Sequence, residues 1–122
     1  MESVVDPSVI MDYHAHVYYD PATTRDAAAR LRQGIAEAFP AVRLGSWHDA
    51  PVGPHPVAMY QVKFPVADFA RLVPWLMLNR GELAVLVHPN TEDEYADHAH
   101  HALWLGAKLP LRLDVLKRKG SV

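Results

Sequence analysis

Eight histidines and no cysteine in 122 residues make imidazole the main chemical resource of this chain. They are scattered rather than consecutive. His14 and His16 stand in "DYHAHVYYD", His48 in "SWHD", His55 in "GPHP", His88 in "HPN", and His98, His100 and His101 in "DHAHH". Clustered imidazoles suit iron, zinc, copper or nickel, and an imidazole titrates close enough to neutrality to move protons. Without cysteine, disulfides and thiolate metal sites are excluded. No HExxH, GxSxG, P-loop or GxGxxG occurs, so the patterns of zinc proteases, serine hydrolases and nucleotide-binding loops are missing.

Whether the histidines can meet depends on the elements that carry them. Residues 12–19 alternate Tyr13, Ala15, Val17 and Tyr19 against His14, His16 and Tyr18, the pattern of a strand, so the two histidines share a face. In 20–40, Asp20 can cap a helix, Pro21 suits its first turn, and Ala28, Leu31, Ile35 and Ala38 form an apolar stripe that Pro40 closes. Residues 41–49 read as a second strand and 50–56 as a turn on Pro and Gly. Residues 57–64 alternate as a third strand. A second helix follows over 65–81, with Pro74 predicting a kink or late start there and Gly81 its stop. Residues 82–89 give a fourth strand, 93–106 a short helix or turn, and 109–116 a fifth, edge strand.

The order βαββαβ plus a tail predicts a ferredoxin-like α+β sandwich, strands ordered 4-1-3-2 with both helices on one face. Ala15, Val17, Leu83, Val85 and Val87 would then look toward the helices. His14, His16, Tyr18, Ala84, Leu86, His88 and the set Val57, Met59, Gln61 and Lys63 would face the open side. With strands one and three taken as parallel, His14 and His55 lie near their starts, and His88 and His48 return to the same corner. His98 and His101 overhang it. His55 and His88 each precede a proline that stiffens their presentation. His48, at a strand end beside Trp47 and Asp49, reads more readily as a surface residue, and His100 as solvent-facing. The exposed apolar row Val57, Met59 and Leu86 would favour pairing of two chains.

Length and composition predict one domain over 1–122, with flexible ends at 1–11 and 117–122. A net charge of −2 gives no reason to expect nucleic acid or an anionic membrane. No long apolar run spans a bilayer, and "MESVVDPSVIMD" carries acidic residues where a signal peptide needs basic ones, so the cytoplasm is expected.

The combination "YHAHVYYDP", "GPHPVAMYQVKF" and "LAVLVHPNTEDEYADHAHHALWLG" resembles the DOPA 4,5-dioxygenase family, from about Tyr13 to Leu111. The resemblance implies extradiol cleavage of a catechol by O₂ at a non-haem iron(II), zinc or another divalent ion being able to take its place in isolated protein. It also implies a homodimer. It points to His16, His55 and His88 as metal ligands and to His14, His16 and His98 for acid–base work, His16 standing in both sets. The carboxylate of the familiar two-histidine iron site is not evident. Tyr18, Tyr60, Trp47 and Trp104 are candidate walls for an aromatic substrate, and Arg43, Arg80 and Lys63 candidate partners for its carboxylate. The alternative is a non-catalytic module that binds a metal or a small aromatic.

Overall fold

The computed structural model describes residues 3–118. Among them one five-stranded antiparallel sheet runs in the order β2-β3-β1-β4-β5. Its strands are β1 (Asp12–Tyr18), β2 (Arg43–Leu44), β3 (Met59–Phe64), β4 (Val85–Asn90) and β5 (Leu103–Leu105). Helices α1 (Arg25–Ala38) and α2 (Phe69–Asn79) belong to the two crossovers, and the six-residue α3 (Glu94–Ala99) follows β4. This is the ferredoxin-like α+β arrangement with one strand added outside β4.

The period-2 reading of the strands holds on both faces. Ala15, Val17, Tyr60, Val62, Phe64, Val85 and Val87 join Leu31, Ile35, Leu72 and Leu76 of the helices in the main core. On the other face Tyr18, Met59 and Leu86 form a second cluster. The helix starts shift. Asp20 accepts the Ala22 N–H at 2.9 Å within a turn, and α1 begins only at Arg25. Pro74 neither delays nor ends α2, which runs through it and forgoes one backbone bond there.

Three expectations are corrected. First, β3 runs antiparallel to β1, not parallel. It fills the gap between β1 and β2 after a reversal of the chain, so its start lies opposite the end of β1, Met59 against Tyr18. His55 therefore cannot reach the cluster by lying level with His14. Second, β2 is two residues long, and past it only Gly45 N–H to the Gln61 carbonyl and a His48–Met59 bridge continue the pairing. Residues 46–58 become a loop instead. Third, the added strand is Leu103–Leu105, not residues 109–116. Because β5 already occupies the outer edge of β4, through Val85–Leu105, Leu86–Trp104 and Val87–Leu103, the later segment has no β4 edge to pair with. Its Leu109 and Leu111 pack instead on Tyr18, Met59 and Leu86. Leu86 is thereby fully buried and Met59 nearly so, which leaves only Val57 exposed of the row expected to draw a second chain.

Of the ends expected to be flexible, residues 1–2 and 119–122 lie outside the described residues. Nearer in, Asp6 caps a 3-10 turn at Pro7–Val9, and Lys117 bonds to α3.

Candidate metal centre on the open face

His14 and His88 stand directly opposite one another across the β1–β4 ladder, their rings 5.1 Å apart. Two residues along β1, His16 points to the same face. Its ring stacks on His88 with centroids 5.1 Å apart, and its Nε2 lies 3.1 Å from His88 Nε2. His14, His16 and His88 each offer a nitrogen, and these lie within 4.8 Å of one another. No carboxylate belongs to this triad.

Two further histidines close on it from outside the sheet. His55 arrives on the loop that folds back over the open face, its ring 4.2 Å from that of His16. His98 comes from α3, 3.9 Å from the His88 ring and 6.4 Å from that of His16. Of the two remaining candidates for the corner, His48 is exposed but lines the same cavity, whereas His101, past the end of α3, lines a different groove. His100 is exposed, as its neighbours' spacing predicted. The cavity at the cluster measures about 260 Å³, and its walls include Val52, Met59, Gln61, Asn90, Glu94 and Leu116. A larger groove of about 920 Å³, lined by Val9, Met11, Tyr13, Phe69 and Leu103 among others, touches the cluster only through His88.

What holds each ring determines what its other nitrogen can do. His88 Nδ1–H donates to the Pro89 carbonyl at 2.8 Å, and His98 Nδ1–H donates to the Glu94 carbonyl at 2.8 Å. A carbonyl only accepts, so in the neutral ring each proton sits on Nδ1 and each Nε2 presents a lone pair. Metal-binding histidines are held in this way. The partner of His55 is different: its Nδ1 lies 2.8 Å from the Tyr18 hydroxyl, both side chains being buried. A phenol donates or accepts, so the His55 ring is fixed in place while its proton can occupy either nitrogen.

Burial favours the neutral form of four of these rings. It is the largest cause lowering His88 to about 3 and His55 to about 4, and it holds His16 well below the usual imidazole range, with His55 and His88 adding repulsion. His14 is also lowered by burial, against the opposing charge of Asp12. Neutral imidazoles are the form that binds metal.

The donors fit a metal ion. His16 Nδ1 is buried with no hydrogen-bond partner, a state that costs about 1–3 kcal/mol where nothing compensates it. The 3.1 Å between the two Nε2 atoms matches two nitrogens each about 2.0–2.1 Å from one shared ion. Ligation through the two Nε2 atoms accounts for that separation and leaves His16 Nδ1 without a partner, since an imidazole offers one ion one nitrogen.

The residues expected as walls divide. Tyr18 and Trp104 stack near the site, centroids 5.9 Å apart. Tyr60 donates its hydroxyl to the Ala28 carbonyl in the main core, and Trp47 packs on Tyr60 there, beneath the Arg25 guanidinium. Among the cations, Lys63 stands opposite His14 in register and pairs with Asp12 at 3.4 Å, Arg80 donates to the Leu83 carbonyl, and Arg43 sits at the far edge. Asp97 had no role in the sequence reading. It is 2% exposed and accepts from both the Thr91 N–H (2.8 Å) and hydroxyl (2.6 Å), tying α3 to the end of β4. An aspartate six residues after a threonine carries no periodic signal that could have marked it.

Fold and site together define a class: a ferredoxin-like α+β protein whose open sheet face gathers neutral histidines able to hold a metal ion. The chain belongs to the Dopa 4,5-dioxygenase family, whose profile matches residues 13–115. It is similar to a DOPA 4,5-dioxygenase of Amanita muscaria, 38% identical over 130 residues, covering 99% of this chain and 56% of that protein. A 21.2 kDa uncharacterized protein of Botryotinia fuckeliana is also 38% identical, over 93% of this chain and 68% of its own length. The chain thus spans little more than half of the Amanita protein. A crystal structure of a candidate dioxygenase from Nostoc punctiforme PCC 73102 superposes with a TM-score of 0.89 at 52% identity, covering 92% of this chain and 96% of that one. Among the described residues no helix is long and apolar enough to cross a membrane.

Proposed function

We propose that this protein is an extradiol dioxygenase that opens the ring of a catechol, DOPA or a relative of it, with O₂ at an iron(II) held by His14, His16 and His88. The observation that carries the reading is the pair of imidazole nitrogens 3.1 Å apart on the open sheet face, in a chain of this family. His14 takes the ligand position that the family resemblance gave to His55, and His55 takes an acid–base role. The reason is the different hold on each ring, a carbonyl behind His88 and a phenol behind His55.

When bound, iron(II) supplies the O₂ chemistry and makes the catechol hydroxyls easier to deprotonate. The chain's own groups do the rest. His55, neutral and backed by Tyr18, takes a catechol proton at Nε2 and later returns it to the opened product. His98, with its proton held on the Glu94 carbonyl, presents a second lone pair beside His88 and accepts a hydrogen bond from the substrate. Met59 and Leu116 supply apolar wall, while Gln61 and Asn90 offer amides to polar substituents. Lys63 is the cation nearest in register to His14 and the candidate partner of a substrate carboxylate. The homodimer and the cytoplasmic setting enter on the family resemblance and the composition alone, since Met59 and Leu86 are already covered within the chain.

The test is reconstitution with iron(II) without oxygen, followed by oxygenated buffer and a panel of catechols including DOPA. O₂ uptake coupled to the yellow absorbance of a ring-opened semialdehyde is expected. Stoichiometric metal binding with no uptake on any catechol would replace this reading with that of a binding module.

A further inference from the structure

The C-terminal segment forms neither the expected strand nor a free tail. It crosses the open face and is tied at both walls of the histidine cavity. At one side Arg112 N–H donates to the carbonyl of Pro54, the residue before His55, at 2.8 Å. At the other, Tyr95 N–H donates to the Lys117 carbonyl at 2.9 Å, and Lys117 N–H donates to a Glu94 carboxylate oxygen at 3.3 Å. The Arg118 guanidinium lies 3.9 Å over the Tyr95 ring. Between the ties a 3-10 turn, Leu113–Val115, shortens the span. Leu116 is the residue of this segment that lines the cavity; Val115 beside it is 49% exposed and does not.

We propose that residues 109–118 act as a strap closing the histidine cavity, and that Leu116 sets the size of ring substituent the site accepts. The anchors support this assignment. Glu94 serves two groups at once, its carbonyl holding His98 and its carboxylate holding the strap. Pro54 fixes the strap next to His55. The strap is therefore registered to the residues flanking the chemistry, and its one inward side chain is apolar in a cavity otherwise walled largely by imidazole and amide groups. A cavity of about 260 Å³ leaves room for one ring and little more, so a branched carbon chain facing it limits what the ring can carry. Leu116 lies just past the span of the family match. The size-selection part of this proposal rests on the catechol reading above, whereas the closure does not.

The test uses the full chain with Leu116→Ala, Leu116→Trp and, on the outer side of the same turn, Val115→Ala. Binding of catechol and 4-tert-butylcatechol to the metal-loaded proteins is titrated without oxygen. In parallel, the metal-free proteins are treated with diethyl pyrocarbonate and modification at His14, His16, His55 and His98 is followed by mass spectrometry. Leu116→Ala should shift the ratio of the two affinities toward the bulky catechol by about tenfold, the scale on which a pocket reads one or two methylenes. Leu116→Trp should move it the other way. Labelling of the cavity histidines should speed up several-fold in Leu116→Ala and stay unchanged in Val115→Ala. Unchanged ratio and labelling in Leu116→Ala would overturn the proposal. If wild type binds neither catechol, the catechol reading and the size selection both fail. The closure is then upheld by faster labelling or overturned by its absence.

Discussion

Five imidazoles share one site here, and the atom behind each ring separates their roles better than the distance between rings does. His88 and His98 are backed by carbonyls, His55 by a phenol, and His16 Nδ1 by nothing. Tyr18→Phe tests the phenol's part. It leaves His55 Nδ1 buried without a partner, which should cost about 1–3 kcal/mol of stability. Turnover should fall while metal binding is retained. Denaturation and cobalt(II) titration of the same variant check both halves, and loss of the metal together with the phenol would show that Tyr18 supports a ligand instead. At this scale the sequence was informative about direction and silent about support. Alternation in β1 and β4 was enough to place His14, His16 and His88 on one face. The partners that hold the rings come from a backbone carbonyl next door and from a hydroxyl that only the folded loop brings near, and neither leaves a pattern in the residue order.

The helix α3 is too short to persist on propensity alone. It is held by Asp93, which accepts the Ala96 N–H at 2.9 Å, and by the buried Asp97 carboxylate on Thr91. Since α3 carries His98 and β4 carries His88, this clamp sets how the two rings meet. Asp97→Asn would turn an acceptor into a donor facing the Thr91 N–H and hydroxyl. The expected result is faster amide exchange in residues 94–99, by a factor corresponding to about 1–3 kcal/mol, with the amides of β1 and β3 unchanged. Equal protection of α3 in variant and wild type would dismiss the clamp. Element identity was well marked wherever apolar periodicity was long, as in α1, α2, β1, β3 and β4. It failed in two places. The expected strand 41–49 keeps only Arg43–Leu44 in the ladder, and residues 109–116 find the β4 edge already taken by β5, because which sheet edge is free is a property of the assembled sheet. The convergence of His55 was anticipated from a parallel β1–β3 pair that does not exist. The residue reaches the cluster because its loop folds back, stiffened by Pro54 and Pro56.

Taken whole, the molecule is one sheet with a core on each side, a large one under α1 and α2 and a small one under the C-terminal segment. The histidine cavity adjoins the smaller core, and burial there links stability to pH. His55 and His88 titrate near 4 and 3 in the folded protein, against about 6.5 when unfolded. The unfolded chain therefore binds more protons below pH 6.5. The stability these neutral rings allow is complete above that pH and is lost as pH falls through the folded values. Metal-free protein should have a lower denaturation midpoint at pH 5 than at pH 7.5, each buried histidine contributing at most on the order of 1.4 kcal/mol per pH unit. Equal midpoints would mean that these rings are not held neutral by burial.

The central claim is that the metal is held by the sheet histidines and that His55 serves it from outside. Metal titration of His88→Ala and His55→Ala, by calorimetry with zinc or cobalt(II), tests this most directly. His88→Ala should bind more than about a hundredfold more weakly than wild type, beyond what the loss of a supporting hydrogen bond costs. His55→Ala should bind within a few-fold of wild type while losing catechol turnover. If His55→Ala loses the metal as completely as His88→Ala does, His55 is a ligand and the division of roles argued from Tyr18 and Pro89 is wrong.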